Sequence, residues 1–344
     1  METSEFNLYE TIFRFGIKPG VFDLLPVKPK RLIPYYDDGY LLETDEGFLA
    51  LWTHRSPEVY LACQLQILQL CAQQEFSGFL YPVPLTDGRN YAEFNENCWF
   101  YITPWPEFRK VRFSNSFDLK AIIHLLAFFR INIHDNGFLF YLAEKKSGFN
   151  LPDKYREIYK QLDSFEMLAL HRLRPTAFDY QFLSYLPEVR GQIKLAIEII
   201  ENSSYLEAIN RLSSPDIIIN KLTRHNLGLD QEGRAVCLRL DDYRWDLPII
   251  DLAVFLIKTG RSSGWDPSWF QMILKEYETY FSLTKLDYQI IHSYIAFPWS
   301  FYRLASRYYY NRVDWTLRNF IEKLNRLMED EPHRKGFLAH FKNL

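Results

Sequence analysis

No lysine stands between Lys30 and Lys110 of this 344-residue chain. Any chemistry that needs an ammonium group from that stretch is therefore excluded, whatever the strand register. Cysteine is scarce too: Cys63, Cys71, Cys98 and Cys237 are scattered, with no C-x-x-C pair and no histidine at metal-ligand spacing. That excludes a disulfide framework and a zinc module, and it points to a reducing compartment. There is no excess of one charge. Lys+Arg number 40 against 43 Asp+Glu, a net charge of -3, which gives no electrostatic case for nucleic acid or an anionic membrane. The longest apolar runs, such as AIIHLLAFF at 121–129, fall short of a membrane span. METSEFNLYE at the start has neither the basic nor the apolar region of a secretory signal. The expectation is a soluble protein, cytoplasmic at synthesis.

What is present is ample apolar material, 48%, with 17% aromatics, enough for one large domain or two lobes. The first third alternates like a sheet. YLLET, the turn DEG and FLALWT (40–53) predict a hairpin with Gly47 at the permissive turn position. Ser56-Pro57-Glu58 then predicts a capped helix start, Ser56 as N-cap, ahead of a helix over 59–74. A second hairpin is expected to turn near Asn95–Asn97. From Ser116 onward the pattern is helical: 118–134 with Asn115 or Ser116 as cap, 154–173, 178–200 with a break at Pro187, and the stretch from Pro248 to Leu344. One strand–loop–strand–hairpin segment, opening with IIINKLTRHNLGLD at 217–230, interrupts the helices. The fold class read from this order is α+β in two lobes, a β-rich lobe over 1–107 with one helix and a helical lobe over 108–344.

One stretch makes the reading specific: LRLDDYRWDLPIIDLAVFL, 238–256. It resembles the bacterial spore-coat CotS family, relatives of the aminoglycoside and choline phosphotransferases. In that family a strand ending in I-D-F-D leads to D-x-P-x-x-D-L-A and a helix. Asp246 through Ala253 reproduces the second half without a gap. Further segments resemble the family as well: HRSPEVYLACQLQILQL (54–70) its small-lobe helix, 84–105 its fourth and fifth strands with Trp105 at the hinge, and 124–138 its first large-lobe helix, with Arg130 in place of a histidine. The resemblance implies a protein-kinase-like two-lobe fold. It also implies where an active relative keeps its chemistry, and this chain departs from it there. The phosphate-binding lysine's place is Trp52, and the helix that should carry its glutamate partner offers Gln64, Gln66, Gln69 and Gln73 but no acid. The catalytic base's place in H-x-D-x-x-x-x-N is Lys221, with Ile219 for the histidine, while the asparagine survives as Asn226. Twelve residues before Asp251, where the metal-binding acid belongs, stands Arg239; the second acid of I-D-F-D survives as Asp241.

Loss of a general base costs about 10²–10⁴-fold in rate. A cation ~5 Å from a dication at ε ~20 is repelled by about 6–7 kcal/mol before screening. The expectation is a degenerate nucleotide cleft formed by Trp52, Lys221, Asn226, Arg239 and Asp241, with no catalytic residue, no metal ligand and no cofactor. Asp251 is expected to accept hydrogen bonds from the loop backbone, and Asp246 to serve as a helix cap or turn residue. Asp241 and Asp242 read as a solvated acidic turn. Tyr308, Tyr309 and Tyr310 read as helix packing rather than a ligand cage. The partners this implies are other proteins, which the resemblance places in the spore coat, with a small anion held by Lys221 and Arg239 as the lesser alternative. Nucleic acid and membrane are not expected. The competing reading is an active small-molecule phosphotransferase whose rewired site uses Asp241, Asp242 and Asn226.

Overall fold

The computed structural model describes residues 16–36, 39–133, 150–211 and 216–341. The expected helix segment 134–138 and the opening stretch 1–10 lie outside them. Among the described residues no helix is long and apolar enough to cross a membrane. The chain divides into two compact units that interleave in sequence. The first gathers the described residues of Met1–Arg112, His124–Leu142 and Thr223–Tyr243; the second those of Phe113–Ile123, Ala143–Leu222 and Arg244–Leu344.

The first unit is built on a five-stranded antiparallel sheet in the order β1-β2-β3-β5-β4. Its strands are β1 (Arg31–Pro34), β2 (Gly39–Thr44), β3 (Gly47–His54), β4 (Ala92–Asn95) and β5 (Cys98–Pro104). The hairpin predicted over 40–53 is β2–β3, with Gly47 at φ +120°, a backbone conformation that L side chains rarely adopt. The second hairpin turns at Asn97, φ +56°. Because side chains alternate across a strand, Leu42, Leu51, Phe100 and Ile102 face one apolar cluster, which also takes in Val21 and Leu85. Ala50, Trp52, Tyr101 and Thr103 occupy the alternate positions and are buried as well. Helix α1 (Glu58–Gln73) follows β3. Its start differs from expectation: Pro57 is the N-cap, in extended backbone, and no side chain caps the helix. Ser56 therefore does not cap, because the proline that fits the first turn stands one position before it. A smaller sheet, β6 (Arg109–Lys110), β8 (Leu227–Leu229) and β9 (Ala235–Cys237), completes the unit.

Helix α2 (Ser116–Ile133) begins in the second unit, where Asn115 Oδ1 accepts from the N–H groups of Phe117 and Asp118. The helical bulk is α3 (Leu151–Leu170), α4 (Ala177–Glu201), α5 (Tyr205–Arg211), α6 (Ile249–Ser263), α7 (Pro267–Tyr277), α8 (Lys285–Ala296), α9 (Trp299–Tyr309) and α10 (Leu317–Phe341). Strands β7 (Asp216–Ile218) and β10 (Arg244–Asp246) pair antiparallel here. Helix α4 packs on α3 and α8, and α8 packs on α6. The break expected at Pro187 does not occur; α4 runs through it. The helix loses one backbone hydrogen bond there, and its other face buries Phe182, Leu186, Val189 and Ile193. Apolar burial outweighs the local defect.

The tyrosines of α9 pack as expected. Tyr309 stacks on Phe165 at 5.1 Å, and its hydroxyl donates to Asp179 Oδ1 at 3.0 Å. Asp179 also closes a capping box with Thr176 at the start of α4 and pairs with Arg172. Tyr309→Phe keeps the ring and loses one hydrogen bond to a charged group, so it should cost about 1.5–3 kcal/mol. Tyr309→Ala also loses the ring and should cost about 3–5 kcal/mol. Urea unfolding of the two variants checks both values; equal costs would show that the ring packing contributes nothing.

Candidate functional site

The loop from 219 to 226 connects β7 to β8, and the chain passes from the second unit to the first after Leu222. Each end of the loop is braced within its own unit. At the upstream end, the Asp251 carboxylate accepts from the N–H of Ile219 (Oδ2, 2.7 Å) and from the N–H of Asn220 (Oδ1, 2.7 Å). Two successive N–H groups converge on one carboxylate because Asn220 takes the left-handed conformation, φ +60°, which asparagine tolerates better than most residues. Asp251 lies in the first turn of α6, where the helix dipole favours an anion. Lys221, next in the loop, donates its backbone N–H to Ile219 O at 2.7 Å.

Burial pushes the Asp251 carboxyl up to about 6, against the lowering effect of the two N–H donors and of Arg244. Asp246, at the end of β10, is pushed up to about 7, again by burial first, with Arg244 lowering it and Asp251 raising it. Its Oδ1 accepts from Leu247 N–H at 2.8 Å, and its Oδ2 lies 3.4 Å from Arg244 Nε. Asp246 is therefore a buried strand-end acceptor rather than a cap: the residue at the N-cap of α6 is Pro248.

At the downstream end, Asn226 is 1% exposed. Its amide nitrogen donates to Arg239 O at 2.8 Å and approaches Cys237 Sγ at 3.3 Å. The backbone follows suit, Leu238 N–H donating to Asn226 O at 2.9 Å. Asn226 thus ties the loop to the strand β9 and its continuation, and its amide is turned toward protein backbone.

Arg239 itself lies against the large sheet. Its guanidinium stacks over the Trp52 ring, 4.9 Å from the centroid, and Nη2 stands 3.5 Å from Asp241 Oδ2. Both charged side chains are mostly buried, at 10% and 18% exposure; Asp242, next in the turn, is exposed. Trp52 is fully buried and donates from Nε1 to Thr103 Oγ1 at 3.0 Å. The indole has room because its sheet partner is Gly39; a Cβ there would come within 2.7 Å of Trp52 Cε3. Tyr35 and Trp105 crowd the same indole edge-on or tilted, at 5.9 and 5.8 Å. Nearby, Gln64 of α1 donates from Nε2 to Tyr101 OH at 3.0 Å. Trp52, Asn226, Arg239 and Asp241 are all residues of the first unit, whereas Lys221, Asp246 and Asp251 belong to the second. Sequence reasoning did not single out Tyr35, Tyr101 or Thr103. The one available signal was Gln64, a polar residue at core spacing among Leu61, Leu65 and Leu68. Among the described residues no three His, Cys, Asp or Glu side chains are grouped so as to hold a metal ion.

Asp251→Ala leaves two buried N–H groups without their acceptor, and the expected cost is about 1–3 kcal/mol for each. The raised carboxyls add a pH dependence. Below pH ~4 both acids are protonated in folded and unfolded chains alike. As pH rises toward 6–7 the unfolded chain ionises first, so their contribution to stability falls across that window. Asp246→Asn should therefore gain in stability relative to the parent as pH is raised from about 4 to about 7. Denaturant unfolding at several pH values checks this; a difference that does not change with pH would contradict it.

No family model matches the chain. Over 169 residues it is 24% identical to spore coat protein S of Bacillus subtilis, a match covering 47% of this chain and 46% of that protein. The matched stretch is thus about half the length of that relative. Among solved structures, an aminoglycoside phosphotransferase from Alicyclobacillus acidocaldarius superposes with a TM-score of 0.77 at 14% identity, covering 93% of this chain and 94% of the other. Spectinomycin phosphotransferase superposes with a TM-score of 0.66 at 12% identity, covering 94% and 97%. The fold is thus the kinase-like one of the phosphotransferases, with a small β-rich lobe and a helical lobe, and the chain is weakly homologous to spore coat protein S.

Proposed function

We propose that this chain is a non-catalytic kinase-fold protein, a binding or assembly component of the bacterial spore coat whose partners are other proteins. The observation that carries the reading is the Arg239–Trp52 stack. Phosphoryl transfer consists mostly of positioning and charge neutralisation, by a strand lysine on the phosphates and by acids on Mg²⁺. The residues at the two places where the resemblance implies that lysine and one of those acids are in contact, a guanidinium over an indole. A desolvated contact of this kind contributes about 2 kcal/mol. The same cation pairs with Asp241, the surviving acid of the motif. These residues do not fit a Mg²⁺ ion, because a fixed cation stands where the metal needs an anion. That weighs against the rewired phosphotransferase built on Asp241, Asp242 and Asn226. The spore-coat setting rests on the 24% relative alone.

The expected outcome is no Mg²⁺-dependent ATP hydrolysis or phosphotransfer. Calorimetric titration with ATP, with and without Mg²⁺, and a coupled turnover assay test it. Turnover that rises with Mg²⁺ and disappears in Asn226→Ala would sink the proposal. Arg239→Ala should destabilise the protein by roughly 2 kcal/mol, since it removes the stack and leaves Asp241 buried without this cation. A melting temperature equal to the parent's would show that the stack does not hold the first unit together.

A further inference from the structure

The glutamines of α1 do not share one fate. Gln64 is buried against Tyr101. Gln66 and Gln69 are exposed and line a cavity of about 430 Å³ that lies wholly within the first unit. Their spacing with Glu58, Ala62 and Leu65, which also line it, puts all of them on one face of the helix. The facing wall is Trp99 of β5 together with Asn90 and Tyr91, just before β4. Phe100 and Ile102 of β5 belong to the apolar cluster, so Trp99, at an alternate position, points to the other side of the sheet.

The charged groups at this cavity are matched within the protein. Glu58 Oε1 accepts from Tyr91 OH at 3.0 Å. Arg89 is held by Asp87, whose Oδ1 takes its backbone N–H at 3.0 Å and whose Oδ2 takes Nε at 2.8 Å. The same bonds build the wall, since they close the turn around Gly88 (φ +83°) and fasten Tyr91 to the start of α1. Tyr91 and Trp99 meet edge to face, with centroids 6.0 Å apart and planes at 76°. Among the described residues no hydrogen bond engages the side-chain amides of Gln66, Gln69 and Asn90 or the Trp99 indole N–H. The polar capacity left open is thus neutral: each amide offers two donors and a carbonyl acceptor, and the indole one donor.

A neutral polyhydroxylated ring matches that inventory. Its hydroxyls donate and accept as amides do, and its slightly positive C–H faces pack on the negative face of an aromatic ring. The volume lies within the usual range for a small-molecule site. An anion meets an arginine already taken by Asp87, and a cation meets a glutamate committed to Tyr91. A peptide anchored by a large apolar side chain meets only Ala62 and Leu65 as aliphatic lining.

We infer that the cavity between α1 and β5, lined by Gln66, Gln69, Asn90, Tyr91 and Trp99, binds a neutral saccharide. None of these residues takes part in the Arg239–Trp52 contact, so the inference is independent of the reading given to that contact.

The test titrates the full chain with maltotriose, cellotriose and N,N′,N″-triacetylchitotriose by calorimetry. At least one should give saturable heat that does not change with sodium chloride, because no ion pair is formed. Gln69→Ala, and separately Asn90→Ala, should weaken that binding about tenfold, the equivalent of one or two hydrogen bonds. Both side chains are exposed, so the melting temperature should stay that of the parent. Trp99→Phe keeps a ring and loses the N–H, and should weaken binding less than Trp99→Ala. Gln73→Ala, an exposed amide of α1 outside the cavity lining, should bind like the parent. Absence of heat from all three saccharides overturns the inference, as does binding that fades with salt or falls equally in Gln73→Ala. Self-association that Gln69→Ala abolishes, with no saccharide bound, would make the cavity a contact between copies and overturn it likewise.

Discussion

Two short hydrogen bonds to one buried carboxylate set the geometry of the central loop. Asp251 reaches Ile219 and Asn220 from the first turn of α6, and the loop leaves β7 in the one direction that lets both N–H groups converge. A buried carboxylate is expensive unless donors surround it. Here the donors are backbone, so the interaction fixes main chain rather than a mobile side chain. Asn226 does the corresponding work in the first unit by fastening the loop's far end to the carbonyl of Arg239. What persists from the phosphotransferase pattern is thus the part that holds backbone: the D-x-P-x-x-D-L-A turn and the loop asparagine.

The charged positions have gone the other way. In an active site the lysine and the acids are kept apart by the phosphates and metal between them. On the proposed reading, Trp52 and Arg239 at those places remove the need for anything between, because an indole face and a guanidinium attract each other directly. Gly39 makes room for the ring, Thr103 satisfies its N–H, and Tyr35 and Trp105 exclude water around it. On α1, Gln64 is a neutral amide that donates to Tyr101. Each of these contacts is satisfied within the protein itself.

Much of this was legible beforehand. The β2–β3 hairpin, the switch to helices after Ser116 and the role of Asp251 as an acceptor for the loop backbone follow from turn glycines, apolar periodicity and the resemblance of a motif whose second half is intact. Other features were misjudged for local reasons. Pro187 looked like a helix break because a proline removes a backbone donor, but the apolar stripe on α4 outweighs one lost bond. Ser56 looked like a cap because its type is right, yet the following Pro57 takes the N-cap position itself. Asp246, read as a helix cap or turn residue, does not cap α6 and is the buried end of a strand, since the helix begins two residues later than a cap at 246 requires.

The sequence by itself determined which charges are absent. No lysine between 31 and 109, no acid among the glutamines of the first helix and an arginine at 239 are facts of composition and spacing, independent of any fold. Only the tertiary structure decided what took their place. Trp52 and Arg239 are far apart along the chain, and nothing local to either requires that they touch. The fold brings the Arg239 guanidinium, just after β9, over the Trp52 ring of β3, with Asn226 donating to the Arg239 carbonyl. Long-range Coulomb and stacking energies depend on separations in space, which spacing along the chain does not encode.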